Sequence, residues 1–151
     1  MKSQRQTVYL VVAALLRRDD GLLLVAQKGP EDERAYWALP GGVVAPGETL
    51  MMALVREVGE EAGLEVTDPG QLAFVAQTPG SIAFTFDVSE WAGEVRPRDP
   101  DGSVTDAQFF PVQEAIAKLA ELPSPSMRDP VVAYLRGTLK PGAAWTERDR
   151  T

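Results

Sequence analysis

The stretch from Pro40 to Gly63 constrains this chain more than any other. Two glycine breaks, Pro40-Gly41-Gly42 and Pro46-Gly47, stand only four residues apart, and directly after them the apolar period changes. Leu50, Leu54 and Val58 recur at steps of four from Thr49 onward, with Met51 and Val55 beside them, which predicts the apolar stripe of a helix anchored to a core. Gly63 is the expected C-terminal stop. On the same helix Glu57, Glu60 and Glu61 fall at i, i+3 and i+4, so three carboxylates leave one face within a turn of each other, expected to point outward into solvent. Like charges at this spacing repel by about 0.2 to 0.5 kcal/mol per pair, and the negative end of the helix dipole adds a similar penalty. For three glutamates in an arbitrary helix a solvated face is the ordinary explanation. A bound divalent cation is the alternative, since it would remove the repulsion.

Composition narrows the chemistry. The chain has no histidine and no cysteine. Zinc sites of the usual type and thiolate nucleophiles are therefore excluded, and a general base has to be a carboxylate, lysine, tyrosine or metal-bound hydroxide. Oxygen ligands and hard cations remain. Magnesium suits such a donor set best, because it keeps several waters and commonly bridges one or two carboxylates to substrate phosphates, and manganese is an acceptable substitute. A net charge of −7 argues against a nucleic-acid polymer as partner, and an acidic protein acting on a phosphate compound needs a cation between the two. No apolar run approaches the roughly 20 residues of a membrane span, and Lys2 and Arg5 are not followed by a secretory leader pattern. A cytoplasmic location is expected.

Along the rest of the chain, Thr7 to Arg17 and Leu22 to Ala26 read as strands joined by the Asp19-Asp20-Gly21 turn into an interior β-hairpin, and Gly29 to Ala35 as a charged loop. Leu72 to Ala76 and Ser81 to Val88 are strands around Thr78-Pro79-Gly80, and Val104 to Val112 is another. Helices are expected at Gln113 to Leu122 and Met127 to Gly137. The 151 residues suit one domain, placed at 1–137, with 138–151 as a flexible tail. Mixed strands with helices packed on them make an α/β or α+β sandwich the expected class.

The residues around the carboxylate helix carry a more specific signal. Gly42-Val43-Val44-Ala45-Pro46-Gly47-Glu48, then seven residues, then Arg56-Glu57-Val58-Gly59-Glu60-Glu61-Ala62-Gly63-Leu64 resembles the Nudix box, GX5EX7REUXEEXGU with U aliphatic, at every fixed position. Trp37-Ala38-Leu39-Pro40-Gly41 is similar to the usual lead-in.

The resemblance implies an α/β/α sandwich with a mixed sheet and a loop–helix–loop, and magnesium-dependent hydrolysis of a phosphoanhydride bond in a small nucleotide-type substrate. It implies that Glu57, Glu60 and Glu61 ligate the metal together with the Gly41 carbonyl, that Arg56 and Glu48 brace the helix, and that Glu61 or Glu60 serves as general base. Members often add an acidic residue from outside the box. Asp106 is the nearest positional match, with Asp99, Asp101 and Glu94 as rivals.

Thr78-Pro79-Gly80 is similar to a segment of ADP-ribose pyrophosphatases, although no glutamate follows it, and Tyr36 is a candidate base-stacking ring. Three readings stay open. They are a pyrophosphatase of nucleoside diphosphate derivatives such as ADP-ribose or nucleotide sugars, a house-cleaning nucleoside triphosphate pyrophosphohydrolase, and a non-catalytic nucleotide-sensing module. A homodimer is compatible with each.

Overall fold

The computed structural model describes residues 5–28 and 34–147, so much of the expected charged loop (29–33) and the last residues of the expected tail (148–151) lie outside the described residues. In chain order the elements are β1 (Tyr9–Leu15), β2 (Arg17–Arg18), β3 (Gly21–Lys28), β4 (Ala35–Ala38), β5 (Gly41–Val43), α1 (Leu50–Ala62), β6 (Glu65–Asp68), β7 (Gln71–Thr78), β8 (Ser81–Asp87), β9 (Glu90–Ala92), β10 (Val104–Pro111), α2 (Val112–Leu119), α3 (Pro125–Leu135) and β11 (Ala143–Thr146). A mixed five-stranded sheet runs β11-β7-β8-β1-β5, a second sheet runs β10-β3-β2 with β4 also paired to β3, and β6 pairs β9.

Strands β1 and β3 are near-continuous apolar runs because both of their faces are covered. Val12 and Ala14 of β1, with Leu23 and Val25 of β3, pack against Ala53, Leu54, Val58 and Ala62 of α1. The opposite faces, Leu15, Leu22 and Leu24, join Phe74 and Phe110 under Ala115, Leu119 and Val131 of α2 and α3. Helices therefore cover the strands from both sides, and the α/β/α sandwich expected from the sequence is the architecture found.

Three local expectations are corrected. The long strand β1 does not pair with β3 in a hairpin: it lies parallel to β8 and antiparallel to β5, and only Arg17-Arg18 fold back on β3 across the Asp19-Asp20 turn. Leu16 carries the chain from one sheet to the other. The segment expected to be a flexible tail contains β11, which adds parallel to β7 as the outermost strand of the five-stranded sheet and buries Trp145 to 7% exposure. On α1 the stripe is narrower than expected, since Leu54 and Val58 are fully buried while Met51 and Val55 stay more than a third exposed.

Candidate active site

Helix α1 begins where Thr49 Oγ1 accepts the Met52 N–H at 3.1 Å and ends where Gly63 takes a left-handed conformation with φ 73°. These caps satisfy groups that the helix itself cannot. The backbone from the β9–β10 connection covers the other end: Arg96 N–H donates to the Ala62 carbonyl at 2.6 Å and Arg98 N–H to the Glu60 carbonyl at 2.7 Å. Gly63 has no room for a side chain there, because a Cβ would collide with the Arg96 backbone.

The box loop is tied to the helix by charge. Arg56 donates through Nε and Nη2 to the two oxygens of Glu48, both at 2.8 Å, and Nη2 also reaches the Val43 carbonyl at 3.2 Å. Glu48 in turn accepts the Ala45 N–H at 2.8 Å, which closes the Pro46-Gly47 turn. The Arg56 guanidinium holds the Glu48 carboxyl down to about 2, with help from that backbone bond, and Glu48 raises Arg56 still further above its ordinary value. The pair is thereby joined in a bidentate form that lysine could not reproduce.

Arg56 Nη1 points the other way, to Glu57 at 2.8 Å and to Glu60 at 3.4 Å. Glu57 lies under the loop so closely that a Cβ on Gly42 would meet its carboxylate at 2.5 to 2.8 Å and push it from its place. Glu61 departs from expectation: it is 4% exposed, not solvated, and its Oε1 accepts the Gly41 N–H at 2.9 Å. Burial pushes its carboxyl up to about 8, against the lowering effect of the Gly41 bond, with the charges of Glu57 and Asp99 adding to the rise. Burial also raises Glu57.

This donor set fits a hard cation. Among the described residues no three acidic side chains are already arranged as a cage, and Arg56 bonds both Glu57 and Glu60. Magnesium does not require a cage, since it typically takes one or two carboxylates and completes its shell with water and phosphate oxygens. Glu57 and Glu61, whose charges act on each other, are the natural pair, since Glu61 has no cationic partner among the described residues, with Glu60 the most exposed of the three and Gly41 held against Glu61.

Other expected site residues fall elsewhere. Asp106 accepts the N–H of its neighbour Ala107 at 2.8 Å beside an irregularity in the β10–β3 pairing. The acid whose charge reaches Glu61 is Asp99. Asp99 accepts hydrogen bonds from Asp101 N–H, Ser103 Oγ and Val104 N–H at 2.8 to 3.1 Å. Burial opposes its ionisation, but these bonds prevail and lower its carboxyl. Tyr36 sits under Arg34, 4.8 Å from guanidinium carbon to ring centroid, and Pro79 uses its carbonyl to accept Gln6 Nε2 at 2.9 Å. Neither lines the cavity beside the box.

That cavity has a volume of about 400 Å³ and opens between the two sheets onto Gly41 and Gly42. Its wall is mostly aliphatic, with Leu39, Phe74, Leu119 and Val131 among the lining residues, and it includes the polar Gln27 and Thr85. Sequence reading missed these two. The available signal was a polar residue at the end of the apolar run Leu22 to Ala26, and another between Phe84 and Phe86.

Residues 8–130 match the model of the NUDIX domain. The chain is 31% identical over 112 residues to the 8-oxo-dGDP phosphatase NUDT18 of Homo sapiens, covering 74% of this chain and 34% of that protein. To the ADP-ribose pyrophosphatase of Methanocaldococcus jannaschii it is 33% identical over 119 residues, covering 74% of this chain and 66% of that one. It thus spans about a third of the length of the human relative. Among solved structures, a NUDIX hydrolase from Nitrosomonas europaea superposes with a TM-score of 0.73 at 28% identity, covering 89% of this chain and 93% of that one.

Proposed function

The chain belongs to the NUDIX family, and on that premise we propose that it is a magnesium-dependent hydrolase of the phosphoanhydride bond in a nucleoside diphosphate derivative. The observation that carries this reading is the gathering of Glu57 and Glu60 on Arg56, and of Glu61 on the Gly41 N–H, next to the Gly41-Gly42 backbone that lines a cavity of nucleoside size. Manganese is an acceptable substitute for magnesium.

A diphosphate ester is hydrolysed by in-line attack of water while the charge on its non-bridging oxygens is neutralised. A bound divalent cation supplies that neutralisation and makes a coordinated water more acidic. The chain's own residues do the rest. Glu57 and Glu61 would hold the cation, directly or through water, with the Gly41 carbonyl as a further ligand. Glu61, or Glu60 where Glu61 is wholly engaged with the metal, would take the proton of the attacking water. Arg56 keeps the carboxylates from splaying apart.

Both named relatives act, by their names, on nucleoside diphosphate compounds, while others that match a shorter stretch of the chain act, by theirs, on nucleoside triphosphates, so the products of hydrolysis separate the two classes. Carboxylates held this closely have no evident use in a module that only senses nucleotides. The test is a substrate panel with magnesium and product analysis. ADP-ribose or a nucleotide sugar should give two monophosphates; release of pyrophosphate from triphosphates alone would move the assignment to the house-cleaning class. No hydrolysis of any member would leave the sensing module.

A further inference from the structure

Five polar side chains line the cavity beside the box: Gln27, Ser81, Thr85, Ser124 and Ser126. Three of them are already engaged. Ser81 Oγ is 2.9 Å from Thr78 Oγ1, and Ser124 and Ser126 bond each other at 3.2 Å. Among the described residues, the Gln27 amide and the Thr85 hydroxyl have no hydrogen-bond partner. Thr85 is 3% exposed, yet no buried side-chain oxygen or nitrogen is left unsatisfied, so its Oγ1 must open onto the cavity. A hydroxyl and an amide left open to a cavity whose wall is mostly aliphatic are groups that a ligand entering it can pair.

The position of Thr85 relative to the box follows from strand register. Phe74, Thr85, Ala13 and Gly41 form one row across β7, β8, β1 and β5. Two strand spacings separate Thr85 from Gly41, which is about 10 Å. A nucleoside monophosphate whose phosphate lies at Gly41 would carry its base to that depth.

Resting on the functional reading above, we propose that Gln27 and Thr85 are the specificity-determining pair, and that they hydrogen-bond the edge of a neutral heteroaromatic base held between aliphatic walls. No charged side chain lines the cavity, so a second phosphate would be unpaired there. A sugar would bring several hydroxyls to a wall with two free polar groups. A base brings a flat apolar face and one edge of mixed donors and acceptors. A glutamine amide offers one donor and one acceptor side by side, the arrangement that pairs with such an edge.

The experiment titrates the full-length protein, without metal, with AMP, GMP, CMP, UMP and ribose 5-phosphate, and then repeats the magnesium-dependent kinetics on the matching diphosphate derivatives. One nucleotide should bind at least about tenfold more tightly than ribose 5-phosphate. Gln27→Leu and Thr85→Val should each weaken that nucleotide about 3- to 10-fold and compress the ranking of bases, with the loss falling on KM more than on kcat. Ribose 5-phosphate binding should not move, and Thr85→Ser, which keeps the hydroxyl, should restore the ranking. Melting curves identify any variant that fails to fold. Equal binding of ribose 5-phosphate and every nucleotide, or an unchanged base ranking in both variants, overturns the inference, even if the wild type hydrolyses its substrates. Base-selective binding without hydrolysis supports it and sinks the hydrolase reading instead.

Discussion

Glu48 and Glu61 belong to one network, yet their carboxyls are driven in opposite directions. Glu48 has two Arg56 nitrogens and a backbone N–H on its oxygens and is held at about 2. Glu61 is buried against another glutamate with a single N–H on one oxygen and is pushed to about 8. The first end is electrostatically complete within the protein. The second is not, and what it lacks is positive charge. Neutralisation within the chain marks a brace; missing neutralisation marks a place for a cation.

The severest way to break this contrast is Glu61→Gln. The amide oxygen can still accept the Gly41 N–H, so the fold should survive with its circular dichroism unchanged. Turnover with saturating magnesium should fall about 10³-fold, as for loss of a general base. Excess chelator should reduce wild-type turnover at least as far. Full activity in either case would dissolve the distinction between the two ends.

The same contrast predicts two opposite arms in the stability of the metal-free protein. The folded value of Glu61 lies above that of a free carboxyl, so the fold retains a proton that the unfolded chain releases. Stability from this source is present below about 4.5 and is lost as pH rises through about 8. A shift of this size corresponds to roughly 2 to 5 kcal/mol. The folded value of Glu48 is depressed, so its contribution is present above about 4.5 and lost as pH falls toward 2. Chemical denaturation across pH should show the alkaline loss. Magnesium should reduce it, and Glu61→Gln should remove it. An alkaline arm that persists in that variant would assign the effect to other groups.

How much of this was legible in the sequence depends on the residue. The box and its brace were legible through resemblance to a known pattern, and the apolar stripe and the Gly63 stop of α1 through spacing that local backbone geometry converts directly into structure. The burial of Glu61 was not, because helical periodicity places it on a face but says nothing of the Gly41 loop folding over that face. Strand β11 was missed for a similar reason. Ala143-Ala144-Trp145-Thr146 is short, follows the Pro141-Gly142 turn, and becomes a strand only by pairing with β7 some 70 residues earlier. The apparent hairpin failed because β1 finds its parallel partner β8 at comparable distance along the chain, and no turn signal encodes that pairing.

Arg56→Lys tests the complete end alone. Lysine keeps a charge but cannot hold Glu48 with two parallel bonds while also reaching Glu57 and Glu60. Activity should fall about 10- to 100-fold, the usual cost of loosening a group that orients ligands. The alkaline arm of metal-free stability should persist. A loss equal to that of Glu61→Gln would show that the brace takes part in the chemistry directly.

The mildest effects are expected outside the box, and they set two aspartates against each other. Asp106 satisfies the N–H of Ala107 in β10, so Asp106→Asn should change kcat/KM by less than about twofold, as for a surface substitution. Asp99 gathers three hydrogen bonds in the connection whose preceding residue, Arg98, is bonded to the Glu60 carbonyl, so its carboxylate fixes the chain that caps α1. Asp99→Asn keeps the size and one acceptor oxygen but loses the charge, and a hydrogen bond to a charged group contributes about 1.5 to 3 kcal/mol. Only part of that should reach the site through Glu60 and Glu61, giving a loss in kcat/KM of about 3- to 10-fold. A larger loss in Asp106→Asn than in Asp99→Asn would mean that the position suggested by the family pattern, not the field and backbone contacts seen here, identifies the acid outside the box.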